Sequence, residues 1–146
     1  MKLIDLNLLI YAINSDAPHH RAARRFWESS LSGDELIALA WVVILGFLRI
    51  TTNARVMPAP LTPEQAFSLV DEWLRQPWVR VVTPTERHWD ILKDLGLSLG
   101  TAGNLTTDTH LAALAIENGA TLYSADNDFA RFAGLRWKNP LIEKRR

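Results

Sequence analysis

Short apolar runs alternate along the chain with longer segments whose apolar residues recur every three or four positions. Residues 2–6 read as a short buried strand, with Asn7 placed to cap a helix over residues 8–13. Asn14-Ser15-Asp16-Ala17-Pro18 is turn chemistry. A helix over residues 19–30 follows, with Ala22, Ala23, Phe26 and Trp27 on one face and His20, Arg21, Arg24, Arg25 and Glu28 on the other. Residues 36–39 form a second strand without alternation, as expected when both faces are covered, and residues 41–51 read as a helix. Thr62 and Pro63 open another, with Ala66, Phe67, Leu69, Val70, Trp73 and Leu74 as its buried stripe and Pro77 as its stop. A third strand covers residues 79–82. Thr85 caps a helix that buries Trp89, Ile91, Leu92 and Leu95, and a glycine-containing loop spans 96–105. Thr106 or Thr107 caps a helix over 108–118 closed by Gly119. A strand over 120–124, a short helix over 128–132 and a last strand over 135–137 complete the pattern. Strands alternating with helices predict an α/β fold with a parallel sheet of four to five strands covered on both faces.

A length of 146 residues with no linker-like stretch predicts a single domain over 1–146, with 139–146 as a terminal tail. Cysteine is absent, which excludes disulfides and thiolate metal sites. Positive and negative side chains balance to zero, which argues against a dedicated high-affinity DNA binder but leaves room for a local basic patch. The longest apolar run, residues 36–48, is interrupted by Gly46 and is too short to cross a bilayer. Only two apolar residues separate Lys2 from Asp5, unlike a cleavable leader. The expectation is a soluble, cytoplasmic protein without a membrane partner.

The candidate chemistry is acidic. In parallel sheets, ligands collect outside the carboxyl ends of the strands, where strand order reverses. Asp5, Asp126 and Asp128 lie at or beyond strand ends, and Asp108 lies at a helix start facing the same edge. Two carboxylates about 4 Å apart repel by roughly 4 kcal/mol at an effective dielectric near 20. Such a cluster therefore takes up protons or a cation. Mg²⁺ suits an all-oxygen site with few protein ligands. The chain has no glycine-rich phosphate loop, so the residues point to metal-assisted phosphodiester hydrolysis rather than nucleotide binding. Each acid also has a plainer reading. Asp108 is ordinary helix-dipole chemistry, and Asp126-Asn127-Asp128 is equally a turn and cap. Asn7, Thr107 and Ser124 are placed to bond to site groups. The four histidines have no metal-ligand spacing; His19 and His20 read as solvated and His110 as structural. Arg49 and Arg55 are the candidates for RNA phosphate contacts.

Three stretches together carry a family resemblance: Ile4-Asp5-Leu6-Asn7-Leu8-Leu9-Ile10-Tyr11-Ala12, Thr107-Asp108-Thr109-His110-Leu111-Ala112-Ala113-Leu114-Ala115 and Ser124-Ala125-Asp126-Asn127-Asp128-Phe129. In this order and spacing they resemble the PIN-domain ribonucleases, specifically the VapC toxins of toxin–antitoxin pairs. The resemblance implies a three-layer α/β/α fold with a five-strand parallel sheet, and a Mg²⁺- or Mn²⁺-dependent endoribonuclease acting on RNA. It also implies a VapB-type antitoxin and a homodimer. Carried onto this chain, Asp5 and Asp108 are metal ligands, Asp126 is a further ligand, and Asp128 joins these three as a catalytic acid. One position departs from the pattern. Many PIN domains carry a glutamate on the helix after the second strand, and Gly46 stands about where it would fall. That departure keeps a non-catalytic PIN-like RNA- or protein-binding module as a rival. A haloacid-dehalogenase-like phosphatase is a second rival, opposed by Asn7 where that chemistry needs an acid.

Overall fold

The middle strand, β1 (Lys2–Ile4), lies between β2 (Ile37–Ala40) and β4 (Thr121–Tyr123). Outside β2 lies β3 (Val79–Val82), and outside β4 lies β5 (Trp137–Lys138). All four pairings are parallel. The computed structural model describes residues 1–100 and 105–142. The sheet order β3-β2-β1-β4-β5 shows that the chain steps outward from β1 in one direction, then crosses back to build the other side. The gap between β1 and β4 is thus the switch point of the sheet.

Under the right-handed crossover rule, steps in opposite directions along the sheet put their helices on opposite faces. The helices α1 (Leu6–Ile13), α2 (His20–Leu31), α3 (Trp41–Thr51) and α4 (Pro63–Leu74) form one layer, joined through the pairs α1–α2, α1–α3 and α3–α4. The helices α5 (His88–Leu99) and α6 (Thr106–Glu117) pack together as the other layer. The fold is a three-layer α/β/α sandwich. Leu3, Ile4, Ile37, Leu39 and Leu122 are fully buried in its sheet. Under α1–α4, Trp73 meets Trp27 edge-on at 5.3 Å and Phe47 at 4.8 Å between ring centroids. Among the described residues, no helix is long and apolar enough to cross a membrane.

Several local expectations are corrected. Strand β1 stops at Ile4, because Asp5 turns its side chain onto the Leu6 N–H and caps α1 itself. The helix therefore begins two residues before the expected start, and Asn7 lies inside it. Thr85 accepts from the Arg87 N–H without capping α5, which begins at His88 and runs on through Gly96 to Leu99. The expected loop thus shrinks; of it, residues 101–104 lie outside the described residues, as do 143–146 of the expected tail. Trp89 is exposed, because Ile91, Leu92 and Leu95 set the inward face of α5 and Trp89 lies about 200° round from Ile91. Phe67 is exposed for a similar reason: Ala66, Val70 and Trp73 hold the core side of α4. Residues 127–131 form a 3-10 turn rather than an α-helix, and the last strand falls at Trp137–Lys138.

Candidate functional site

Strand register assembles the site. In the β1–β4 ladder Leu3 pairs with Leu122 and Ile4 with Tyr123. One step further, Asp5 and Ser124 emerge side by side at the carboxyl edge. The Asp5 N–H donates to the Tyr123 carbonyl at 2.9 Å, and the Ser124 hydroxyl donates to Asp5 Oδ2 at 2.6 Å. The direction of that hydroxyl is fixed. Ser124 Oγ already accepts from Asn7 Nδ2 at 3.2 Å and from the Asp126 N–H at 3.0 Å, so both lone pairs are in use and the proton is left for Asp5. Ser124 is fully buried, and its single hydroxyl ties β1, α1 and the segment after β4 together.

Around this knot, Asp5, Asn7, Thr107, Asp108 and Asp126 line one cleft of about 590 Å³. Asp108 arrives from the first turn of α6, and Asp126 caps the 3-10 turn by accepting the Asp128 N–H at 2.9 Å. Asp128 is exposed and does not line the cleft. Burial pushes the Asp108 carboxyl up to about 6, and the charges of Asp5, Asp126 and Asp128 push the same way. Burial also raises Asp5, against the lowering effect of its bonds from Ser124 and the Leu6 N–H. Asp108 and Asp5 both resist ionisation chiefly because they are desolvated, and negative neighbours add to it. The expected acids thus meet in one place, with Asp128 at its margin.

A model of the PIN domain family matches residues 2–135. Ribonuclease VapC33 of Mycobacterium tuberculosis is 48% identical over 143 residues, covering 98% of this chain and 100% of that protein. Ribonuclease VapC37 of the same organism is 44% identical over 140 residues, covering 96% of this chain and 97% of its own. The chain belongs to the PIN-domain family, among the VapC ribonucleases. Its fold matches the crystal structure of VapBC2 from Rickettsia felis bound to a DNA fragment from their promoter, with a TM-score of 0.70 at 20% identity over 94% of this chain and 97% of that one.

Within this VapC-type cleft, the wall that departs from the pattern is α3. Val42, Gly46 and Arg49 face the cleft on successive turns. A Cβ at Gly46 would come within 2.6 Å of Leu6 Cδ2, so a leucine methyl from α1 occupies the space where a side chain would start. Tyr11 and Ile10 of α1 also line the cleft, and sequence reasoning did not single them out; both lie in the apolar first helix with no polar pattern to mark them. Arg49 lines the cleft as expected of a phosphate-contact candidate, whereas Arg55 does not. His20 is not simply solvated: its Nδ1 lies 2.8 Å from the Tyr11 carbonyl. His110 is structural, with its ring packed edge-on against His88.

The donor chemistry fits a hard cation. The carboxylates offer only oxygen, and repulsion among them is what a divalent ion relieves. Among the described residues, no group of three or more His, Asp or Glu side chains could hold an ion unaided. The arrangement therefore suits an ion that takes one or two carboxylates and keeps its remaining coordination for water or a substrate phosphate.

Proposed function

We propose that this protein is a Mg²⁺-dependent endoribonuclease, active also with Mn²⁺, and the toxin of a toxin–antitoxin pair. The observation that carries the reading is the cleft at the β1–β4 switch point, where Asp5, Asp108 and Asp126 converge and Asp108 is driven up to about 6. Ribonuclease names on relatives that align over almost the whole chain support the same chemistry.

In this reading Asp5 and Asp108 would hold the ion directly, and Asp126 would complete the site as a ligand through a water that the ion carries. A bound Mg²⁺ supplies positive charge for the phosphoryl oxygens and lowers the pKa of water at the site. The protein's own groups prepare the rest. Ser124 and the Leu6 N–H lock both Asp5 oxygens in direction and favour its ionised form. Asn7 pins Ser124 from one side and accepts the Ala125 N–H at 3.3 Å, so the segment leading to Asp126 cannot drift from Asp5. Asp126 and Asp128 add the negative field that draws a cation to Asp108. Of this set, Asp5, Asp108 and Asp126 stand in the cleft, and Asp128 acts at longer range as the fourth acid.

A VapB-type antitoxin and a homodimeric assembly complete the proposal. The VapBC2 complex among the structural neighbours supports the first, and exposed Phe67, Trp89 and Leu97 offer apolar surface for such contacts. RNA as substrate places the reaction in the cytoplasm. The phosphatase reading loses ground, since Asn7 spends both ends of its amide on Ser124 and Ala125. The test is expression in bacteria without antitoxin, beside Asp5→Asn and Asp108→Asn. Wild type arrests growth and degrades RNA in a Mg²⁺-dependent manner, and both variants are harmless. Equal growth and equally intact RNA in all three would defeat the catalytic reading in favour of a binding module.

A further inference from the structure

Asp108 is carried by the first turn of α6, and that turn begins without a side-chain cap: Leu105 stands at the cap position and offers no acceptor. A helix end that rests on its own ladder frays, and a carboxylate on it moves with the backbone. One contact reaches this turn from behind. His110 lies two residues after Asp108, about 200° round the helix, so it turns away from the cleft that Asp108 lines. Its Nδ1 lies 2.9 Å from Nε2 of His88, the first residue of α5, with the rings edge-on at 4.8 Å between centroids. A single proton between the two ring nitrogens makes this a hydrogen bond, whichever ring supplies it.

His88 is itself fixed. Its Nδ1 lies 2.9 Å from Glu117 Oε2, and the other Glu117 oxygen accepts the Thr85 N–H at 2.8 Å. The Glu117 side chain is wholly enclosed, so neither oxygen can exchange its partner for water without cost. Glu117 lies seven residues after His110, which returns it to the same face of α6 about two turns on. The His88 ring thus bridges two turns of one helix, and Thr85 anchors the bridge to the segment after β3. Bonds of this kind commonly orient the ligands of a metal. Here the bond acts on the backbone turn that carries the ligand.

We propose that His88 is a positioning residue of the metal site: through its bond to His110 it fixes the first turn of α6, and with it the place of Asp108. His88, His110 and Glu117 all stand outside the lining of the cleft. The inference rests on the metal-dependent reading and extends it to residues that touch neither ion nor substrate.

The experiment uses the full chain with Mn²⁺ alone as the probe, the free ion being read by electron paramagnetic resonance without RNA. His110→Ala and His88→Asn break the link from opposite sides. His110→Ala leaves Glu117 its partners and puts the best helix former into α6, so the fold is kept. His88→Asn keeps an amide N–H where Nδ1 stood and loses the reach to His110. His88→Gln does the reverse: its amide takes the place of Nε2, and enclosed Glu117 loses a donor. Both link-breaking variants are expected to weaken Mn²⁺ binding about tenfold. His88→Gln is expected to bind Mn²⁺ as wild type does, although its denaturation midpoint falls below that of His110→Ala. Affinity then follows the bond to His110 while stability follows the bond to Glu117. A merely structural link would lower the folded fraction and leave the constant of the folded molecules unchanged. A wild-type constant in either link-breaking variant, or a His88→Gln constant as weak as theirs, overturns this inference and leaves the ribonuclease reading standing. A wild type that binds no Mn²⁺ overturns the metal-dependent reading and the inference with it.

Discussion

At the residue scale, Asp108 is held away from its ionised form by burial and by three acidic neighbours. Its folded pKa of about 6 lies above the ordinary value of 3.8, so between those values the native state holds more protons than the unfolded chain. Native stability therefore falls as pH rises through roughly 4 to 6 and stays lowered above that window; Asp5 shifts in the same direction. Asp108→Asn removes this burden. Without divalent ions at about pH 7.5, the variant is expected to be more stable than wild type by on the order of 1 kcal/mol, a figure reduced for the solvent screening of a half-buried group. The gap closes below about pH 4, and added Mg²⁺ raises the Tm of wild type more than that of the variant. Denaturant titrations across pH check it; a variant less stable at pH 7.5 would mean that Asp108 is held by attraction. The four aspartates were legible as residue types at strand ends and a helix start. Ser124 could only be guessed at, because its importance lies in donating to Asp5 while accepting from Asn7 and Asp126.

Elements whose signals are local were read most closely. Helix α4 carries its own start: the Thr62 hydroxyl accepts from the Gln65 N–H, and Gln65 returns a bond to the Thr62 N–H at 2.9 Å. Pro63 fills the first position, where no amide proton is needed. Thr62→Ala is expected to lower stability by about 1 kcal/mol in urea denaturation. RNA cleavage by the folded variant stays unchanged, since no residue of α4 lines the cleft; lost activity at full folding would couple α4 to the site. Helix α1 was misread by two residues because both Asp5 and Asn7 are good caps in sequence. The choice fell to Asp5 once its backbone was committed to the Tyr123 carbonyl and its side chain to the Leu6 N–H. Helix α5 shows the limit of periodicity. Trp89 is as apolar as its neighbours, yet it stands off the face that Ile91, Leu92 and Leu95 present to the core.

At the scale of the whole molecule, polar groups distant in sequence lock one helical layer together and tie it to the segment that leaves the sheet. The Glu117 side chain near the end of α6 is wholly enclosed. It accepts the Thr85 N–H at 2.8 Å and a bond from His88 Nδ1 at 2.9 Å, and His88 Nε2 lies 2.9 Å from His110 Nδ1. Burial, and then the neighbouring His88, lower His110, so its ring resists protonation within this chain of bonds. The chain of bonds joins the segment after β3, the start of α5 and two turns of α6, the helix that carries Asp108. Glu117→Ala leaves the Thr85 N–H and His88 without their acceptor in a buried place. Its expected cost is about 3 kcal/mol, measured as a shift in denaturation midpoint. A shift within about 0.5 kcal/mol of zero would show that water replaces the carboxylate freely.

The amino-acid sequence by itself determined the alternation of strands and helices, most caps and stops, and the presence of aspartates at chain reversals. These depend on side-chain periodicity and on hydrogen bonds between near neighbours, which act over a few residues. The tertiary structure decided which of those groups share a space. Pairing β1 with β4 sets Asp5 beside Ser124 across 119 positions of chain. The crossover that carries α6 back brings in Asp108, while Asp128 is left at the rim. Leu6 closes over Gly46, and Arg49 comes to line the same cleft as the aspartates. Burial and charge repulsion are sums over everything packed around a group, so the shift of Asp108 exists only once strand register and helix packing have brought the acids together.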